Sequence, residues 1–178
     1  YAVCNKPVQR LRVMTATDIS NYVNAADFVP IGGTYHDIGM IWGLRMLSPT
    51  GLFRNDTAAW PGRQAPKRII VFLTDGAMAP HNEVYGMYGV ERLDRRIRNG
   101  ASSPSFIDFH NARFLAACSK AKSMNIDIWT VGIRPAADAN LTSCASVPAQ
   151  ALTTTSGTGL SSAFQQIARQ VAMLRISQ

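Results

Sequence analysis

The stretch Arg68-Ile69-Ile70-Val71-Phe72-Leu73-Thr74-Asp75-Gly76 decides the reading of this chain. Five consecutive apolar residues, mostly β-branched or aromatic, predict a strand buried on both faces. The run breaks into Thr-Asp-Gly, so a hydroxyl and a carboxylate emerge at the strand's carboxyl end. Gly76 lets the chain turn away there without a Cβ clash. Open α/β sheets gather their ligands along that edge. The expectation is a strand over 68–74, central in a parallel sheet, with Asp75 as one corner of a metal site.

Upstream, Ile31-Gly32-Gly33-Thr34-Tyr35-His36-Asp37 reads as a flexible glycine turn that offers backbone and the Thr34 hydroxyl ahead of a helix. It lacks both GxxxxGK[ST] and GxGxxG, so a phosphate cradle is a weak reading. The helix, from about His36 to Leu47, is apolar nearly all round, as a helix covered by protein would be. Gly39 and Gly43 give it a flat stripe for close backbone approach. Further back, residues 1–13 make a weak strand, and Thr15-Ala16-Thr17-Asp18 is a helix start. That helix carries Ile19, Tyr22, Val23 and Ala26 on one stripe before Pro30 stops it.

Downstream, residues 52–67 are a loop, and 76–105 is a long connection broken by a short helix near 90–98. A helix over about Ile107–Met124, a buried strand over 126–132 and a short helix between Ala136 and Ser146 follow. A short edge strand at 151–153 comes next. The last helix is marked by Leu160, Ala163, Phe164, Ile167, Ala168, Val171 and Leu174. Strands alternating with helices imply βαβ units and a parallel sheet covered on both faces.

A length of 178 residues suits one domain with a real core, and 47% hydrophobic against 16% charged residues is a globular balance. No apolar run reaches the ~20 residues needed to span a bilayer. Eighteen Lys and Arg against eleven Asp and Glu give a net charge of +7, which raises nucleic acid as a partner. The arginines are scattered, however. The densest group, Glu91-Arg92-Leu93-Asp94-Arg95-Arg96-Ile97-Arg98, is interleaved with acids and reads as a solvated helical face, so no nucleic-acid partner is expected.

The cysteines Cys4, Cys118 and Cys144 have no CxxC spacing, which argues against zinc. Strands stepping across the sheet in one direction put their linking helices on the same face, with Cys118 on one and Cys144 on the other. A Cys118–Cys144 bridge is then geometrically plausible and would imply an oxidising compartment. Two buried thiols are the alternative.

Hydroxyl and carboxylate oxygens at one sheet edge are donors of the kind Mg²⁺ prefers. At this point the chain resembles the von Willebrand factor A (vWA) domains. Their adhesion site combines an Asp-x-Ser-x-Ser loop, a Thr in a Gly-Gly-Thr turn, and an Asp ending the next central strand. Gly32-Gly33-Thr34 and Leu73-Thr74-Asp75-Gly76 look like the second and third of these. The run Gly33-Thr34-Tyr35-His36-Asp37-Ile38-Gly39-Met40-Ile41-Trp42-Gly43-Leu44-Arg45 is similar to the A domain of TadG-like proteins of bacterial Tad (Flp) pilus systems. So are Leu47-Ser48-Pro49-Thr50-Gly51, Lys120 and Cys144-Ala145-Ser146.

The resemblance implies a Rossmann-like vWA fold, of which residues 1–178 form the carboxyl-terminal portion. Its implied metal is Mg²⁺ (or Mn²⁺ or Ca²⁺) held by Thr34 and Asp75. It also implies a non-catalytic adhesion or assembly module, extracytoplasmic in the periplasm or at the cell surface. Such a module is membrane-anchored through a segment not in this chain, and its partner is a pilus or cell-envelope protein. No Asp-x-Ser-x-Ser occurs in the sequence. The first strand and first metal loop are therefore expected upstream, on the other half of a precursor, another polypeptide or a swapped copy. Without that strand, 68–74 would expose an edge of unpaired backbone groups.

Two further readings stand beside this one. A scaffold that keeps the fold but binds no metal is favoured by the missing loop. An enzyme is disfavoured: His36, His81 and His110 are not at metal-ligand spacing, there is no GxSxG, and no nucleophile is paired with a base. His36 and Asp37 read as a local cap or surface pair at a helix start.

Overall fold

A computed structural model describes residues 6–29, 33–100, 105–134 and 136–176. The elements run α1 (Ala16–Val23), α2 (His36–Leu47), β1 (Arg68–Thr74), α3 (Glu91–Asp94), α4 (Phe106–Ser123), β2 (Ile126–Ile133), α5 (Ala139–Cys144), β3 (Ala151–Thr154) and α6 (Gly157–Ile176). The three strands form one parallel sheet in the order β1-β2-β3. The chain is thus mixed α/β, with strands stepping across the sheet in sequence order.

Side chains alternate across the sheet, and each face builds its own core. Ile70, Ile126 and Ile128 join Met40, Phe114, Ala117, Ala121 and Leu141 beneath α2, α4 and α5. Trp129 and Val131 point to the other face, against Ala163 and Ile167 of α6. The glycine stripe of α2 lies on β1, where a Cβ at Gly43 would meet Ile70 and one at Gly39 would meet Phe72, each at 3.6 Å. Cys118 and Cys144 are bridged, with Cα atoms 5.2 Å apart, and the bridge joins α4 to α5 within the first core. Cys4 lies outside the described residues.

Local signals explain the helix starts. Thr15 and Asp18 form a reciprocal capping box on α1, and Ser105 with Asp108 forms another on α4. Asp138 caps α5 by accepting from Asn140 N and Leu141 N. Asn125 takes φ +56° between α4 and β2, a left-handed turn that its short polar side chain tolerates.

Several expectations are corrected. Strand 68–74 pairs among the described residues with β2 alone, so it is an edge strand here, with the open outer edge expected where the upstream strand is missing. It is not buried on both faces, since Val71 and Leu73 remain 37% and 44% exposed. The helix expected to run towards Pro30 stops at Val23 and buries none of its residues; Pro30 itself lies outside the described residues. Residues 6–13 form no strand.

The segment 91–98 is helical only over Glu91–Asp94, because Arg95 turns left-handed. Residues 92–96 are solvated as expected, whereas Glu91 and Ile97 are buried. The Glu91 carboxylate accepts from Ile97 N at 2.9 Å and Arg98 N at 3.1 Å, folding the loop around a charge. No helix among the described residues is long and apolar enough to cross a membrane.

Candidate metal-binding edge

The carboxyl end of β1 is built as a set of interlocked turns. Thr74 is buried, and its hydroxyl donates to Gly76 O at 3.1 Å while accepting from Gly76 N at 3.3 Å, which bends the chain back after Asp75. The next few residues then pair with the glycine turn before α2: Thr34 and Ala79 exchange both main-chain hydrogen bonds at 2.9 Å. A β-bridge therefore fixes Thr34 beside the β1 turn, and a Cβ on Gly76 would lie 3.7 Å from Thr34 Oγ1. A Cβ at 76 would stand in ordinary contact with that hydroxyl.

The two expected ligand positions are thereby brought to one edge. Asp75 is exposed and Thr34 half-buried. Among the described residues, no hydrogen bond or ion pair engages Thr34 Oγ1 or the Asp75 carboxylate. Both are hard oxygen donors suited to Mg²⁺ or Ca²⁺. They are few, however: no three His, Cys, Asp or Glu side chains of the described residues gather closely enough to hold a metal ion. Asp138, from the neighbouring loop after β2, is already committed, capping α5 with one oxygen and accepting from Arg134 at 2.8 Å with the other. The donor set fits part of a divalent-cation shell and, among the described residues, does not complete one. Gly32 lies outside the described residues.

His36 supports this edge from behind. Its Nε2 stands 3.1 Å from Thr74 Oγ1, and its ring packs edge-on against Phe72. Burial holds its pKa below the ordinary histidine value, although the nearby Asp138 carboxylate pulls the other way. His36 is thus a buried strut under the Thr74 turn, which corrects the expectation of a cap or surface pair with Asp37. Tyr35 is the residue ahead of α2, and it makes no side-chain cap.

Asp37 turns away from His36 into a second cluster. Its Oδ2 lies 2.8 Å from His110 Nδ1 and accepts the Tyr88 hydroxyl at 3.1 Å. Asp37 and His110 are 0% and 1% exposed. Burial pushes the Tyr88 hydroxyl up, partly offset by the Arg113 guanidinium stacked 4.6 Å over its ring. Tyr35 and Phe106 pack edge-on against His110. The cluster ties α2, α4 and the long 76–105 connection together, and the free volume beside it holds no more than a water. One signal in the sequence pointed to it: His110 falls four residues before Phe114 on the buried stripe of α4, where a polar side chain needs a partner.

Compared with family models, with curated proteins and with solved structures, the chain finds no match in any of the three.

Proposed function

We propose that this chain is the carboxyl-terminal portion of a vWA-type module that does no catalysis and engages a protein partner through a divalent cation. Thr34 and Asp75 supply two oxygen ligands for Mg²⁺ (or Mn²⁺ or Ca²⁺), and the cation supplies an open position for a partner carboxylate. The remaining ligands come from an Asp-x-Ser-x-Ser loop on a strand that pairs with the outer edge of β1. One observation carries the reading: among the described residues, an uncommitted hydroxyl and an exposed carboxylate lie at one sheet edge, beside a strand whose outer side is unpaired.

The resemblance to TadG-like proteins makes the setting a membrane-tethered, extracytoplasmic protein of a Tad (Flp) pilus system, with a pilus or envelope component as partner. The Cys118–Cys144 bridge supports an oxidising compartment. A metal-free scaffold of the same fold is the second reading, favoured by the small donor set among the described residues. The enzyme reading gains nothing from the Asp37–His110–Tyr88 cluster, because its two most polar members are sealed from any substrate.

The variants Thr34→Ala and Asp75→Ala test the assignment. In the chain joined to an Asp-x-Ser-x-Ser segment, each weakens Mg²⁺ binding by roughly tenfold or more. Unchanged affinity in both variants would remove these residues from the site.

A further inference from the structure

At the opposite end of β1 a cavity of about 540 Å³ opens between the strand, the end of α2 and the 52–67 loop. Its apolar lining is Leu11, Leu47, Trp60 and Ile69, and its cations include Arg63 and Lys67. Three consecutive residues, Lys67, Arg68 and Ile69, line it. Successive strand side chains point to opposite faces, and the inner edge is closed by β2, where Arg68 is in register with Ile126. Arg68 and Ile69 open β1 and point to opposite faces, so a space that touches both passes round the start of the strand.

Its charge is unbalanced. The acid in the lining, Asp56, is already held by Arg10, whose Nε and Nη2 donate to its two oxygens at 3.0 and 2.5 Å. Arg68 is turned inward to Thr57, donating to its carbonyl at 2.9 Å. Lys67 pairs with Asp127 at 3.5 Å yet stays 42% exposed, while Gln150 also donates to Asp127. Arg63 is exposed, and no ion pair engages it among the described residues. Trp60 is 74% exposed beside it. The cavity thus combines an apolar floor, an indole, the uncommitted Arg63 and Lys67, half-exposed and shared with Asp127, near the start of β1.

We propose that this cavity is the specificity pocket for the segment that pairs with β1, and that it selects an acidic side chain just ahead of that segment. The occupant is an extended peptide running parallel to β1. Its main chain bonds the open edge, which is β-augmentation, and its leading Asp or Glu meets Arg63 and Lys67. The inference rests on the strand-completion reading above and adds what chooses the strand.

Three C-terminally fluorescein-labelled peptides test it by anisotropy, in EDTA so that no metal contributes. Each carries eight alternating Val and Thr residues, preceded by Asp-Asp, Ser-Ser or Lys-Lys. The Asp-Asp peptide is expected to bind about tenfold tighter than the Lys-Lys peptide at low salt, with the gap narrowing as salt rises. Arg63→Glu, an exposed loop change that leaves the core untouched, abolishes or inverts the preference while Ser-Ser binding persists.

Equal affinity for the three peptides, or a preference that survives Arg63→Glu, would overturn the pocket and leave strand completion intact. Failure of every peptide, Ser-Ser included, would overturn both. Concentration-dependent dimers that exclude the peptides would instead make a second copy of the chain the occupant, and would also refute the proposal.

Discussion

His36 and Asp37 are neighbours in sequence with opposite duties, and each has a measurable consequence. His36 is buried under the Thr74 turn, so the folded state resists its protonation while the unfolded chain takes up a proton near the ordinary value of 6.5. Because the folded pKa is depressed, the contribution of His36 is intact above that value and is lost as pH falls below it. Urea midpoints measured at pH 7.5 and 5.5 should therefore drop on acidification, and the drop should shrink in His36→Gln.

Asp37 is the acceptor for both His110 and Tyr88. Asp37→Ala leaves a buried imidazole and a phenol without their partner, and is expected to cost about 1–3 kcal/mol in urea unfolding. Tyr88→Phe, which removes one hydrogen bond and leaves the pair, should cost about 1 kcal/mol. Adjacent in the sequence, the two residues read as a single helix-start feature. The 100° turn between successive helical positions is what sends one towards β1 and the other towards α4.

At the scale of elements, periodicity and capping carried most of the fold. The bounds expected for α2 and β1 match, and those for α4, β2 and β3 agree within a residue or so, because each is a strong apolar pattern closed by a polar or glycine signal. The same logic put Cys118 and Cys144 on one face, and they are bridged. Closing a loop with a sequence separation of 26 should stabilise the fold by about 3.5 kcal/mol through the unfolded chain's lost entropy. Cys118→Ser with Cys144→Ser, followed by thermal unfolding, should show a loss of that order; a change under about 1 kcal/mol would mean the two helices are held by packing alone.

Elements were misread where propensity met missing or unexpected partners. The α1 stripe is a good amphipathic pattern, yet Ile19 and Val23 stay 51% and 44% exposed because nothing among the described residues covers them. Glu91 sits in a run dense with charge and still goes inside, since a carboxylate can accept three donors from one loop. Neither outcome is written in local pattern; both depend on which surfaces meet.

For the whole molecule, the legible part was the class and order of the sheet with an open edge on β1, and the misjudged part was the burial of β1 on both faces. Five apolar residues argue for a covered strand, but covering needs neighbours, and among the described residues Val71 and Leu73 are only partly covered. Thr34 and Asp75 were likewise found from residue type and turn chemistry. Their approach depends on the Thr34–Ala79 bridge, which no spacing in the sequence encodes. The Asp37–His110–Tyr88 cluster spans 73 residues between its Asp and its His, and sequence pattern reaches only along single helices and strands. The open edge of β1 adjoins the turns that carry Thr34 and Asp75, so under the proposed function one added segment would complete both.

The most direct measurement is a calorimetric titration of Mg²⁺ into the chain alone and into the chain joined to a strand ending in Asp-x-Ser-x-Ser. Saturable binding only in the joined form, lost with Thr34→Ala and Asp75→Ala together, is the predicted result. No binding in either form, or equal binding in both, would contradict a site shared between β1 and an added strand.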